Sequence, residues 1–162
     1  VAPSRGLGDV YKRQLLMFVD QLIKYFVIHN LELYKSIKLI PNFFYITFVK
    51  NDGAAFSILR GNRWLLIAIG IIALMFMIKL IIMDKKITKL DVVSYSLVIG
   101  GILGNLVDRV LYGSVIDYLD FYLFGYNAPV FNFADSCIVI GAIIIICVLI
   151  KEGNNYESNN SR

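Results

Sequence analysis

Three runs of mostly apolar residues dominate this chain: Trp64–Met83, Val92–Tyr112 and Val130–Ile150. A helix needs about 20 such residues to cross a bilayer, at 1.5 Å rise each. Trp64–Met83 carries Lys79 as its one charge, with Trp64 placed to sit at an interface. Val92–Tyr112 is apolar to Val107 and glycine-rich in its later half, and Val130–Ile150 is the most continuous run, ended by Lys151. Leu15–Ile28 is shorter and holds Asp20 and Lys24, and it is read as a cropped first helix. The expectation is an all-α membrane protein of four transmembrane helices. With 58% hydrophobic and 17% charged residues, an ordinary soluble domain is excluded.

Composition also narrows the chemistry. Cys137 and Cys147 are ten residues apart in one apolar run, about 15 Å along a helix, beyond disulfide reach. The single histidine, His29, rules out a histidine-rich metal cluster. A net charge of +4 comes without a basic patch interleaved with aromatics, so no nucleic-acid partner is expected. Residues 1–14 are neither apolar nor periodic, and Asp9-Val10-Tyr11-Lys12-Arg13-Gln14 resembles a translated sequencing-library adaptor. This segment is expected to be an artefact, followed by a single four-helix transmembrane domain over 15–151 and a disordered cytoplasmic tail over 152–162. Three of the sixteen basic residues fall in that first segment, which leaves the charge balance uninformative.

Orientation follows from the loops. Asp84–Asp91 packs Lys85, Lys86 and Lys89 into a short connection and reads as cytoplasmic, while Gly113–Pro129 has no lysine or arginine. Both termini then lie inside. In the first connection, Phe43–Val49 is aromatic and β-branched, as a strand prefers. Asp52-Gly53 follows as a hairpin signal, with Ala54–Leu59 as the returning strand. A small extracytoplasmic β-hairpin or sheet is therefore expected between helices one and two.

Charge inside a bilayer costs at least about 2.5–3.5 kcal/mol per residue, so intramembrane polar groups are functional candidates. Gly101, Gly104, Asn105 and Asp108 share one helical face with Arg109 near it, and Gly100 with Gly104 allows close helix approach. An Asp108–Arg109 ion pair at the interface is the simpler alternative for those two charges. Asp117 lies just past this helix; it and Asp120, read alone, are solvated loop residues. Asn132 and Asp135 open the last run, where Asp135 alone is a carboxylate at a helix start. If the last two helices are antiparallel neighbours, Asp117 and Asp135 reach the same membrane face. Two close carboxylates share a proton, so one can act as base on a water while the other protonates the attacked carbonyl. That chemistry calls for no metal, no cofactor, no histidine and no cysteine.

In chain order the motifs are Asp20-x3-Lys24, Asn51-Asp52-Gly53-Ala54-Ala55-Phe56, Gly100-Gly101-Ile102-Leu103-Gly104-Asn105-Leu106-Val107-Asp108-Arg109, Gly113-x-Val115-x-Asp117-Tyr118 and Phe131-Asn132-x-Ala134-Asp135. Together they resemble the lipoprotein signal peptidase (signal peptidase II) family. The resemblance implies an intramembrane aspartic endopeptidase of the bacterial cytoplasmic membrane that cuts prolipoproteins just before a diacylglyceryl-modified cysteine. It implies Asp117 and Asp135 as the catalytic pair. Asn51, Gly53, Asn105, Asp108, Arg109, Asn132 and Ala134 would support the site or bind substrate, with Asp20 and Lys24 in a supporting role. A monomer in contact with membrane lipids is expected. A small ion- or proton-conducting transporter is the alternative, with the same charges as its path.

Overall fold

The computed structural model describes residues 3–54, 58–83 and 87–160. In chain order these form α1 (Pro3–Asn30), β1 (Ser36–Ile40), β2 (Phe44–Asn51), α2 (Arg63–Met83), α3 (Lys89–Tyr112), β3 (Val115–Leu123), β4 (Tyr126–Asn127) and α4 (Phe133–Asn160). By length and apolar content, three helical stretches among the described residues can cross a membrane: Arg63–Met83, Lys89–Tyr112 and Phe133–Gly153. α1 is a fourth helix, and it begins at Pro3, so residues 3–14 prolong it instead of standing apart. α4 likewise continues past Lys151 to Asn160, over the tail expected to be irregular. Extending an existing helix costs little per residue, because the nucleation step has already been met by the apolar turns before it.

α3 is the central helix, packed on α1, α2 and α4. It starts with a capping box in which the Asp91 N–H donates to Thr88 Oγ1 and the Thr88 N–H donates to Asp91 Oδ2. It stops at Gly113, whose φ of 77° is the left-handed conformation that glycine adopts without a Cβ penalty. Arg63, at the start of α2, donates to the Val110 carbonyl at 2.6 Å and so closes the last turn of α3. The close approach of helices depends on Gly101 and Gly104, where the sequence pairs Gly100 with Gly104. A Cβ on Gly101 would run into the Ala134 carbonyl oxygen, and one on Gly104 would come within 2.6 Å of Asp20 Oδ2 and 3.3 Å of Ala134 Cβ. Gly101→Val should therefore push α3 and α4 apart. Overpacking of this kind costs roughly 1–3 kcal/mol, to be read as a lowered Tm in detergent. An unchanged Tm would show that the interface can yield.

The sheet is larger than the expected hairpin and is differently wired. Its order is β1-β2-β3-β4, antiparallel throughout, so it joins the α1–α2 connection to the α3–α4 connection. β2 turns back on β1 through residues 41–43, with Asn42 at φ 58°, and among the described residues its partners are β1 and β3, not Ala54, Ile58 or Leu59. Residues 55–57 of that expected return lie outside the described residues. Asp52-Gly53 is no hairpin turn: Gly53 is absent from the described residues with positive φ, and its N–H donates to Asn51 Oδ1 at 3.0 Å. That side-chain contact two residues back is the turn that ends β2. Asp117 and Asp120, expected in a solvated loop, sit on β3 and are 2% and 3% exposed. The sequence hides this because β2 pairs with β3 across separations of 64 to 77 residues, and no local pattern encodes such a pairing.

Candidate active site

α4 begins three residues later than the apolar run suggests, because Asn132 caps it. The Asn132 side-chain oxygen accepts the Asp135 N–H at 2.8 Å, and Asp135 Oδ2 accepts the Asn132 N–H at 3.2 Å. Before the cap, Phe131 pairs with Leu119 of β3, which brings the start of α4 beside Asp117. Asp135 is thus a helix-start carboxylate, as the simpler reading of it holds, and also a neighbour of Asp117.

Four N–H groups hold the two carboxylates. Asp117 Oδ1 accepts from Asn132 Nδ2 at 2.7 Å and Asp117 Oδ2 from Asn51 Nδ2 at 3.1 Å. Asp135 Oδ1 accepts from Asn105 Nδ2 at 2.7 Å, and Asp135 Oδ2 takes the backbone bond of the cap. Every carboxylate oxygen therefore has one fixed donor and keeps lone-pair capacity for a proton or a water. Burial pushes the Asp117 carboxyl up to about 7, with the charge of Asp135 adding to it, against the hydrogen bonds from Asn51 and Asn132.

The amides are oriented from below. Lys24 Nζ, which can only donate, lies 3.2 Å from Asn105 Oδ1, so the Asn105 oxygen must face α1 and its NH₂ must face Asp135. The same oxygen accepts from Asn132 Nδ2 at 3.1 Å. Lys24 is itself held by Asp20 Oδ2 at 2.7 Å, the expected i, i+4 pair, and by Asp108 Oδ2 at 2.8 Å. Asp108 is fully buried; it pairs with Lys24 instead of its neighbour Arg109, and also accepts the Ile116 N–H at 3.0 Å. It thereby ties α1 to the strand residue next to Asp117. Asp20 Oδ1 accepts the Ala134 N–H at 3.1 Å, which docks the first turn of α4 on α1. Arg109 reaches across to the Gly53 carbonyl at 3.1 Å and pins the end of β2 to α3.

Above the carboxylates lies a cavity of about 910 Å³ with a mostly apolar lining. Of the residues singled out from sequence, Asn51, Asn105, Arg109, Asp117 and Asp135 line it. Gly53, Asp20, Lys24, Asp108, Asn132 and Ala134 stand behind that surface and hold it. Sequence reading missed Gln21, whose amide donates to Asp108 Oδ1 at 2.8 Å and to the Gly104 carbonyl at 3.1 Å. Its signal was available, because Gln21 lies three residues before Lys24 on the polar face of α1. Thr47 and Asp120, joined by a hydrogen bond, were also missed and carry no such signal.

Residues 14–151 match the family model described as signal peptidase (SPase) II. The chain is 38% identical over 159 residues to a lipoprotein signal peptidase of Alteromonas mediterranea, covering 96% of this chain and 87% of that one. It also resembles a bacterial membrane enzyme solved by the in meso method at 2.3 Å resolution, with TM-score 0.86 and 37% identity over 91% of this chain and 90% of the other. A second such bacterial membrane enzyme, at 1.9 Å, gives TM-score 0.81 and 38% identity over 89% and 93%. With the match running along nearly the whole chain, and the paired carboxylates at the mouth of an apolar bundle, this chain belongs to the signal peptidase II family.

Proposed function

We propose that Asp117 and Asp135 are the catalytic pair with which this aspartic protease removes signal peptides from prolipoproteins, just before a lipid-modified cysteine. The observation that carries the reading is the convergence of both carboxylates on one cavity, each oxygen held by an N–H donor. A water between them gives a proton to the ionised member as its oxygen bonds to the scissile carbonyl carbon. The protonated member gives its proton to the carbonyl oxygen. The tetrahedral intermediate collapses by breaking the C–N bond: the leaving nitrogen takes the proton that came from the water, and one hydroxyl returns its proton to the other carboxylate. The apolar wall formed by Val130, Ile138, Val139 and Ile140 suits a signal peptide and a lipidated side chain. The name of the Alteromonas relative, lipoprotein signal peptidase, supports the substrate class.

The protease domain is 15–151, set in the bacterial cytoplasmic membrane as a monomer, with both termini inside and the sheet and active site at the outer face. α1 serves as the fourth span. Its Asp20 and Lys24 are 1% exposed and pair internally, whereas Phe18, Tyr25 and Phe26 point outwards to lipid. The transporter reading loses its ion path to the same pairing, since Lys24 is held between Asp20 and Asp108 inside the bundle.

The test is cleavage of a diacylglyceryl-modified prolipoprotein by the purified chain across a pH series. With burial pushing the Asp117 carboxyl up to about 7, the pair should keep its proton below that value and lose it above. kcat/KM should fall by about tenfold per pH unit on the alkaline side. A rate that stays level across about two units above neutrality would count against a shared proton.

A further inference from the structure

β2 and β3 are in register on either side of a break. Ile46 stands opposite Leu119 and Val49 opposite Asp117, so Thr47 and Phe48 together face the single residue Tyr118. This is a β-bulge. In a regular ladder side chains alternate, and Asn51, five residues after Ile46, would point to the opposite face. The bulge removes one alternation. Asn51 returns to the face of Ile46, Val49 and Asp117, where its amide donates to Asp117 Oδ2 at 3.1 Å.

On the other face, Phe48 packs against Ile116 and Tyr118. Thr47 Oγ1 donates to Asp120 Oδ2 at 2.5 Å and lies 2.8 Å from Ser36 Oγ on β1. Thr47 has one hydroxyl hydrogen, so giving it to Asp120 makes Ser36 the donor to Thr47. The Asp120 carboxyl is buried, and its other oxygen has no hydrogen-bond partner among the described residues. Asp120 lies apart from the cavity lining. Burying a polar group with an unmet oxygen costs folding free energy, so its bond to Thr47 is what it offers the fold in return.

We propose that Thr47 and Asp120 are positioning residues for the protease reaction, locking the β2 bulge so that Asn51 is aimed at Asp117. This rests on the reading of Asp117 as catalytic. The test is a double-mutant cycle of Thr47→Val with Asn51→Ala, in the purified full chain on a diacylglyceryl-modified prolipoprotein. Thr47→Val should lower kcat by roughly ten- to a hundredfold, the scale of one hydrogen bond to a charged group, with KM unchanged. The double variant should be no slower than Asn51→Ala alone, and Thr47→Ser, which keeps the hydroxyl, should recover the rate. Effects that multiply in the double variant, or a Thr47→Ser as slow as Thr47→Val, overturn the proposal. Should Thr47→Val fail to accumulate, Asp120→Ala takes its place in the cycle with the same expected coupling. Asp117→Asn measured alongside separates the two ideas. An active Asp117→Asn ends the catalytic reading, while an inactive one beside multiplicative effects ends only the positioning role.

Discussion

Asp117→Asn and Asp135→Asn, made singly, should each lower kcat for prolipoprotein cleavage by about 10²–10⁴-fold, the usual contribution of a positioned acid or base. KM should change little, because the substitution is isosteric and the apolar wall that receives the substrate is untouched. The protein should still fold. Asn105, Asn132 and Asn51 each retain other partners, and the cap of α4 survives through the Asn132 oxygen. Each amide removes the capacity to carry or accept the mobile proton, so a single replacement disables the pair. Turnover within about tenfold of the parent in either variant would sink the assignment.

The second large effect is on stability. Lys24→Met leaves Asp20 and Asp108 inside the bundle, 1% and 0% exposed, with no cation between them. Removing one partner of a buried ion pair costs about 3–5 kcal/mol, because the remaining charge stays desolvated. Here two carboxylates are stranded, so Tm in detergent should drop well below that of any surface variant. Activity should fall as well, since Asn105 loses the donor that turns its NH₂ towards Asp135. Adding Asp20→Asn and Asp108→Asn to Lys24→Met should recover part of the lost Tm by removing both stranded charges. A Tm for Lys24→Met equal to the parent would show that the cluster contributes nothing to the fold.

These two predictions differ in how far they could be read from the sequence. The Asp20–Lys24 pair is a helical i, i+4 spacing, and its distance of 2.7 Å is what that spacing permits. That Asp108 joins from α3 is a tertiary fact; the sequence offered Arg109 as its neighbour, and packing chose Lys24 instead. α1 shows the same limit in hydropathy. Asp20 and Lys24 lower the apolar content of the helix, yet both are buried against the rest of the bundle. Composition alone carries no sense of which side a residue faces.

The sheet marks where sequence reading ended. Residue preference found the strand character of Phe43–Val49, and Asp52-Gly53 suggested the wrong partner for it. β2 pairs with β1 before it and with β3 across the bundle. Hairpin signals are local, whereas the β2–β3 ladder joins residues 64 to 77 positions apart, on either side of α2 and α3.

By itself, the sequence determined the membrane class, three spanning runs, the polar stripe of Asn105 and Asp108, and the two carboxylates on which the chemistry is proposed to rest. These are properties of composition and short spacing, which survive without knowledge of neighbours. The tertiary structure alone decided that Asp117 sits on a buried strand, that three asparagines and a cap hold both carboxylates, and that a one-residue bulge turns Asn51 towards them. Each is a relation between elements far apart in the chain, set by helix packing and strand register.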